Sequence, residues 1–149
     1  MKHLTIGILL IIPMIFMGQY KIDYDKNLTI IRDTAIYSEQ IRESSANKLV
    51  EVVDLIPDIK LDIRYATTNN FTGEKIYNSP QAFVRKPVAM ALEIIQRSLS
   101  KYGLGLVIYD AYRPYSATVK FYEVYKDTNF VASPWQGSRH NRGAAVDVG

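Results

Sequence analysis

The sequence predicts an α+β domain, with a small mixed or antiparallel sheet and flanking helices, on three observations. Short β-branched or alternating runs recur at Leu49–Leu55, Leu61–Ala66, Leu104–Tyr109 and Ala144–Val148. One amphipathic stretch follows Pro87, with Val88, Ala91, Leu92, Ile95 and Leu99 at spacings of three and four. These elements alternate irregularly, without the even crossovers of a doubly wound sheet.

In chain order, residues 1–18 have the layout of a cleaved signal peptide: Lys2 and His3 precede an apolar run from Leu4 to Met17, relieved by Thr5, Gly7 and Pro13. That run is short of the roughly 20 residues a membrane-spanning helix needs. The protein is therefore expected to be exported to the periplasm or cell envelope, with no stable membrane span after cleavage. Residues 19–48 are polar and mixed, and read as a spacer that is partly helical. The runs at 49–55 and 61–66 read as strands separated by Pro57. Asn69-Asn70-Phe71-Thr72-Gly73 is turn chemistry. Pro87 opens the amphipathic helix and Gly103 stops it. A strand follows from Leu104 to Tyr109 and ends at Asp110, since Pro114 blocks its continuation. Ser116 is placed to cap a second helix that runs to about Lys126. Residues 127–139 read as loop, and 144–148 as the last strand.

Composition narrows the function. The 149 residues, 48% hydrophobic and 22% charged, suit one globular domain. Eighteen basic against fifteen acidic side chains give +3, evenly spread, and +3 − 1 = +2 once Lys2 is removed, so electrostatics does not argue for nucleic acid. The absence of cysteine excludes disulfides, a thiol nucleophile and a thiolate metal site. Beyond residue 18, His140 is the only imidazole.

Ser138-Arg139-His140-Asn141-Arg142-Gly143-Ala144-Ala145-Val146-Asp147 places a loop histidine seven positions before a carboxylate in a small-residue strand. Imidazole nitrogen with carboxylate oxygen suits Zn²⁺. Taken alone, the same pair also describes a turn histidine and a strand-end aspartate. In Val107-Ile108-Tyr109-Asp110-Ala111-Tyr112-Arg113-Pro114, a guanidinium ends a strand just before a fixed turn. Such a group can stabilise an oxyanion, although an Arg-Pro turn is often only structural. Asp110 and Tyr112 are placed equally well to contact substrate or to orient Arg113.

The first string resembles the Ser-x-His-(six residues)-Asp signature of the D-alanyl-D-alanine dipeptidases and the related D,D-carboxypeptidases, which share a fold with the hedgehog signalling domain. The second resembles the dipeptidases' Asp-x-Tyr-Arg-Pro string. A third, Arg64-Tyr65-Ala66-Thr67-Thr68-Asn69-Asn70-Phe71-Thr72-Gly73, is similar to a string near the start of their catalytic domain. The resemblance runs over residues 49–149, expected to be the N-terminal part of that domain. It implies a zinc hydrolase acting on a small D,D-dipeptide, with His140 and Asp147 as metal ligands and Arg113 stabilising the tetrahedral intermediate. Tyr65, Asn70, Asp110, Tyr112 and Ser138 are then candidates for substrate contact.

The family's third ligand, a histidine, and its general-base glutamate form a Glu-x-x-His string downstream of the His-Asp signature. Glu51, Glu74, Glu93 and Glu123 sit in segments with ordinary strand, loop or helix-surface explanations. The chain is therefore expected to be a C-terminally truncated form with a weak two-ligand site and little activity. The alternatives are a D,D- or L,D-carboxypeptidase trimming peptidoglycan stems, and a non-catalytic wall-binding domain. Testing free dipeptide against a pentapeptide stem separates the first, and reading the coding sequence past Gly149 for Glu-x-x-His discriminates the second.

Overall fold

The computed structural model describes residues 23–149, so the expected signal segment lies outside the described residues. Two small sheets organise the chain. β1 (Leu49–Glu51) pairs antiparallel with β3 (Phe83–Arg85). β4 (Val107–Asp110) is the centre of the other sheet, with β2 (Lys60–Leu61) parallel on one side and β5 (Asp147–Val148) antiparallel on the other. Helices flank them, in the α+β arrangement expected from the sequence. Among the described residues no helix is long and apolar enough to cross a membrane.

The stretch expected as spacer holds α1 (Thr34–Glu43), which Asp33 caps by accepting from the Ala35 amide at 2.7 Å. It is tied to the sheet, because the Leu49 amide donates to the Tyr37 hydroxyl at 2.8 Å.

All four expected strands are shorter than the sequence suggests: Leu104–Tyr109 gives only β4, from Val107, and Ala144–Val148 only the two residues of β5. Leu49–Leu55 divides into β1 and a single helical turn, α2 (Val52–Leu55). The reason is burial: Val52 and Ile56 both enter the core, and a strand would put Asp54 on that face with them, whereas a helical turn keeps Asp54 exposed. The run at 61–66 keeps its ladder only as far as the Asp62 amide, which donates to Ile108, before Arg64–Ala66 turns into a 3₁₀ helix. β3 was not expected, because three residues are too few to show a period. α4 (Tyr115–Val124) starts after Pro114, whose carbonyl accepts from Ala117; Ser116 is inside the helix and is not its cap.

α3 (Lys86–Ser100) begins as Pro87 predicts and ends in a Schellman closure, with Leu104 donating to Leu99 and Gly103, at φ +69°, donating to Ser100. Its buried face is Ala89, Leu92 and Gln96, whereas Ala91 and Ile95 face solvent. The helix is turned by about one position because Gln96 finds hydrogen-bond partners on the core side. Its amide donates to Asp58 at 2.7 Å and its oxygen accepts from the Leu106 amide at 2.8 Å. Val52, Ile56, Ile59, Val84, Leu92 and Ile108 form the heart of the core. Burying each such side chain contributes about 1.5–3 kcal/mol. This core holds β4 rigid beneath the residues that follow it.

Candidate metal centre

β4 ends in Asp110, which is fully buried. One carboxylate oxygen accepts from the Tyr77 hydroxyl at 2.8 Å and from the Ala111 amide at 2.9 Å. The other accepts from Arg113 Nε at 3.1 Å and Nη2 at 2.5 Å. Arg113 is itself only 8% exposed, with its Cζ 4.7 Å from the Phe121 ring centroid and 5.9 Å from that of Tyr65. Burial pulls the guanidinium down, but the charge and hydrogen bonds of Asp110 outweigh it and leave the group above its ordinary value. Arg113 is thus a fixed cation. Two of its five N–H donors go to Asp110, and three remain.

A 3₁₀ turn, His140–Arg142, is clipped onto this strand end. The Arg113 amide donates to the His140 carbonyl at 3.0 Å. Asn141 Nδ2 donates back to the Arg113 carbonyl at 2.8 Å and to Thr118 Oγ1 at 2.9 Å. The turn closes at Gly143, where φ is +61° and a Cβ would lie 2.5 Å from Leu49 Cδ2. Only glycine fits both constraints. Its carbonyl accepts from the Arg85 amide at 2.9 Å, which joins the turn to β3.

The imidazole is oriented by Ala111, whose carbonyl is 2.9 Å from His140 Nδ1. A carbonyl only accepts, so in the neutral ring Nδ1 carries the hydrogen and Nε2 keeps its lone pair. Nε2 then faces Asp147 Oδ1 on β5 at 3.6 Å. Two lone-pair atoms facing each other repel, and a cation between them satisfies both. A tetrahedral zinc with bonds of about 2.0–2.1 Å separates its ligands by roughly 3.4 Å, so the donor types and their spacing both fit.

Asp110, His140 and Asp147 are the one cluster of three His or acidic side chains, among the described residues, whose ligand atoms lie within 4.8 Å of one another. Asp110 stands behind the ring. Its Oδ2 is 3.7 Å from Nδ1, the nitrogen already turned to Ala111, and its lone pairs are occupied by Tyr77, Ala111 and Arg113. His140 Nε2 and the half-exposed Asp147 carboxylate are the atoms open to a metal.

The remaining sequence candidates divide. Tyr65 is at the site, its ring centroid 4.7 Å from that of Phe121, and its hydroxyl is raised by burial and then by the charges of Asp110 and Asp147, against the opposing pull of Arg113. Asn70 serves its own loop, donating to the Thr67 and Glu74 carbonyls at 2.8 Å and accepting from Thr72. Tyr112 points to the α1 side, where burial and Tyr37 raise its hydroxyl. Ser138 braces the turn, its hydroxyl accepting from the His140 amide at 3.2 Å. Sequence reasoning missed Tyr77 and the clamping roles of Asn141 and Thr118. A cleft of about 1230 Å³ between residues 23–40 and the back of the turn is lined by Tyr112, Ser138 and Asn141 but not by Arg113, His140 or Asp147.

Comparison with known proteins identifies the family. A family model described as D-ala-D-ala dipeptidase matches residues 45–148. The D-alanyl-D-alanine dipeptidase of Escherichia coli (strain K12) is 36% identical over 107 residues, covering 70% of this chain and 54% of the relative. That of Enterococcus faecalis (strain ATCC 700802 / V583) is 27% identical over 115 residues, covering 64% and 57%. A Streptomyces coelicolor protein of the same name is 35% identical over 68 residues, covering 44% of this chain and 34% of its own length. The chain spans about half the length of the first two relatives. With the family model covering residues 45–148, the chain belongs to the D-ala-D-ala dipeptidase family, a family of metallopeptidases.

Proposed function

We propose that Arg113, His140 and Asp147 belong to the site of a zinc-dependent dipeptidase that hydrolyses D-alanyl-D-alanine in cell-wall metabolism. The observation that carries this reading is convergence. The end of β4 and a separate segment, residues 138–147, bring a buried cation, an oriented imidazole and an open carboxylate together, all within the family match. His140 Nε2 and Asp147 would hold a zinc ion, which would supply Lewis acidity to polarise a peptide carbonyl and acidify water.

The chain's own residues do the rest. Ala111 fixes the imidazole through Nδ1. Arg113 offers a preorganised positive charge to the carbonyl oxygen as it becomes anionic. Phe121 and Tyr65 cover the guanidinium, which strengthens its field by excluding water. Among the described residues two ligands face the open side and no glutamate joins the group. A polypeptide of residues 1–149 is therefore expected to bind zinc weakly and to turn over slowly. We also propose export, on the strength of residues 1–18.

The test is D-alanine release from D-Ala-D-Ala, beside release from a pentapeptide stem, by residues 1–149 and by the full product of the gene. The full product should cleave the dipeptide, stop on chelation and recover with zinc. In it, Arg113→Ala should lower kcat by about 10²- to 10³-fold. Cleavage of the stem alone would replace the dipeptidase with a carboxypeptidase, and wall binding without cleavage would replace both. Rapid turnover by residues 1–149 would refute the weak-site expectation. Recovery of the protein only from cytoplasmic fractions would refute export.

A further inference from the structure

The Arg113–Asp110 contact has an unusual form. Both guanidinium donors, Nε and Nη2, fall on the same carboxylate oxygen, Oδ2. A fork spread over two oxygens would fix the carboxylate plane, whereas a fork on one leaves the carboxylate free to swivel about its broad terminal torsion. Whatever fixes Asp110 must hold Oδ1. Two donors do so: the Ala111 amide, which is local, and the Tyr77 hydroxyl, which arrives from a segment 33 residues away.

Tyr77 is itself well anchored. The Ile76 and Tyr77 amides both donate to the Tyr65 carbonyl, at 2.8 and 2.9 Å. The Tyr77 and Tyr65 rings meet edge to face with centroids 5.8 Å apart. Burial, followed by the charge of Asp110, pushes the hydroxyl well above its ordinary value, so it remains a donor throughout the neutral range.

We infer that Tyr77 is a positioning residue for Arg113: by holding Asp110 Oδ1 it fixes the carboxylate plane, and through Oδ2 it sets the direction in which the guanidinium presents its free N–H groups. The positioning itself follows from the contacts. Its consequence for turnover rests on the dipeptidase reading, so the experiment separates the two.

The first measurement is the side-chain Nε–H signal of Arg113 in the full chain by ¹H–¹⁵N NMR, assigned by its loss in Arg113→Lys. In Tyr77→Phe this proton should exchange with water about tenfold faster, as expected for a bond whose partner is no longer held. Arg97, paired with Glu93 on the far helix α3, serves as the control and should not change. Spectra are taken at 5 °C, with sulfate added to keep the variant folded. The second measurement is steady-state hydrolysis by the zinc-loaded full gene product. There Tyr77→Phe should lower kcat about tenfold while KM stays within about twofold, since orientation is lost and substrate binding is not. An unchanged Arg113 signal in folded Tyr77→Phe would overturn the inference. If that signal changes but Arg113→Ala leaves hydrolysis intact, the positioning stands and the dipeptidase reading falls.

Discussion

Replacing Asp110 with asparagine keeps the shape and, with the amide oxygen at Oδ1, the hydrogen bonds from Tyr77 and Ala111, but it removes the charge and puts an NH2 donor where Oδ2 accepted from Arg113. The perturbation thus measures the cost of leaving Arg113 buried without its counter-ion and without the acceptor of its two hydrogen bonds. The side chains of the pair are 10% and 1% exposed, so water can do little to compensate. Breaking a buried pair from one side costs about 3–5 kcal/mol. A domain of this size is stabilised by about 5–15 kcal/mol, so the loss is a large fraction of the total. In urea, with a slope of about 2 kcal/mol/M, the midpoint should fall by roughly 1.5–2.5 M. Arg113→Met, which strands the anion while preserving contact with Phe121, should cost a similar amount. The double variant should be less damaging than the sum of the two by about 2–3 kcal/mol, because it strands neither charge. A loss below about 1 kcal/mol for Asp110→Asn, the range of exposed pairs, would refute the claim that the pair is buried and mutually dependent. Strict additivity would do the same.

Gly143→Ala should destabilise the protein by at least about 1 kcal/mol, because φ there is +61° and a Cβ would press on Leu49 and on the Arg85 amide, 3.2 Å away. The same change should displace the His140 ring, visible as a shift of its ¹⁵N resonances, and unaltered resonances would count against the clip described above. Alkaline stability gives a second check. Tyr77 is raised in the folded state, chiefly by burial, so stability is fully present below the unfolded tyrosine value of about 10 and declines as pH rises past it. Each such tyrosine adds a slope of about 1.4 kcal/mol per pH unit, and Tyr77→Phe should remove one of these contributions.

Sequence reached the parts of this site that are local. His140, Asp147 and Arg113 lie in short strings that drew notice through their resemblance to the dipeptidases, the residue types alone leaving a structural reading open, and Pro87 and Gly103 bracket α3 because their backbone preferences act where they stand. The rest depends on distant partners. Tyr77 carries no local mark, since its role exists only when the fold brings it to Asp110. Gln96 displaced Ile95 from the core face because Asp58 and Leu106 supply hydrogen bonds that no periodicity can register. The helical turn at Val52 overrode a β-branched sequence because it buries Val52 and Ile56 while leaving Asp54, which a strand would place between them, in solvent. Asn70 looked like a pocket residue until its amide was seen to hold its own loop.

The pairing of β4 with β5 carries one more implication. β5 is two residues long, and its alignment skips a position, so that Val148 faces Ile108 and Asp147 faces Asp110. Just beyond it, Val107 and Gly149 exchange two backbone hydrogen bonds, of 2.8 and 3.0 Å. A slip of one residue would present Val146 or Val148 where Asp147 stands, and the carboxylate would turn to the other face. Nothing covalent would change, yet the ligand would be gone. An ion that binds only the correct alignment stabilises that alignment alone. Metal uptake would then act as proofreading for the sheet's edge, rewarding the one pairing that has been made in frame.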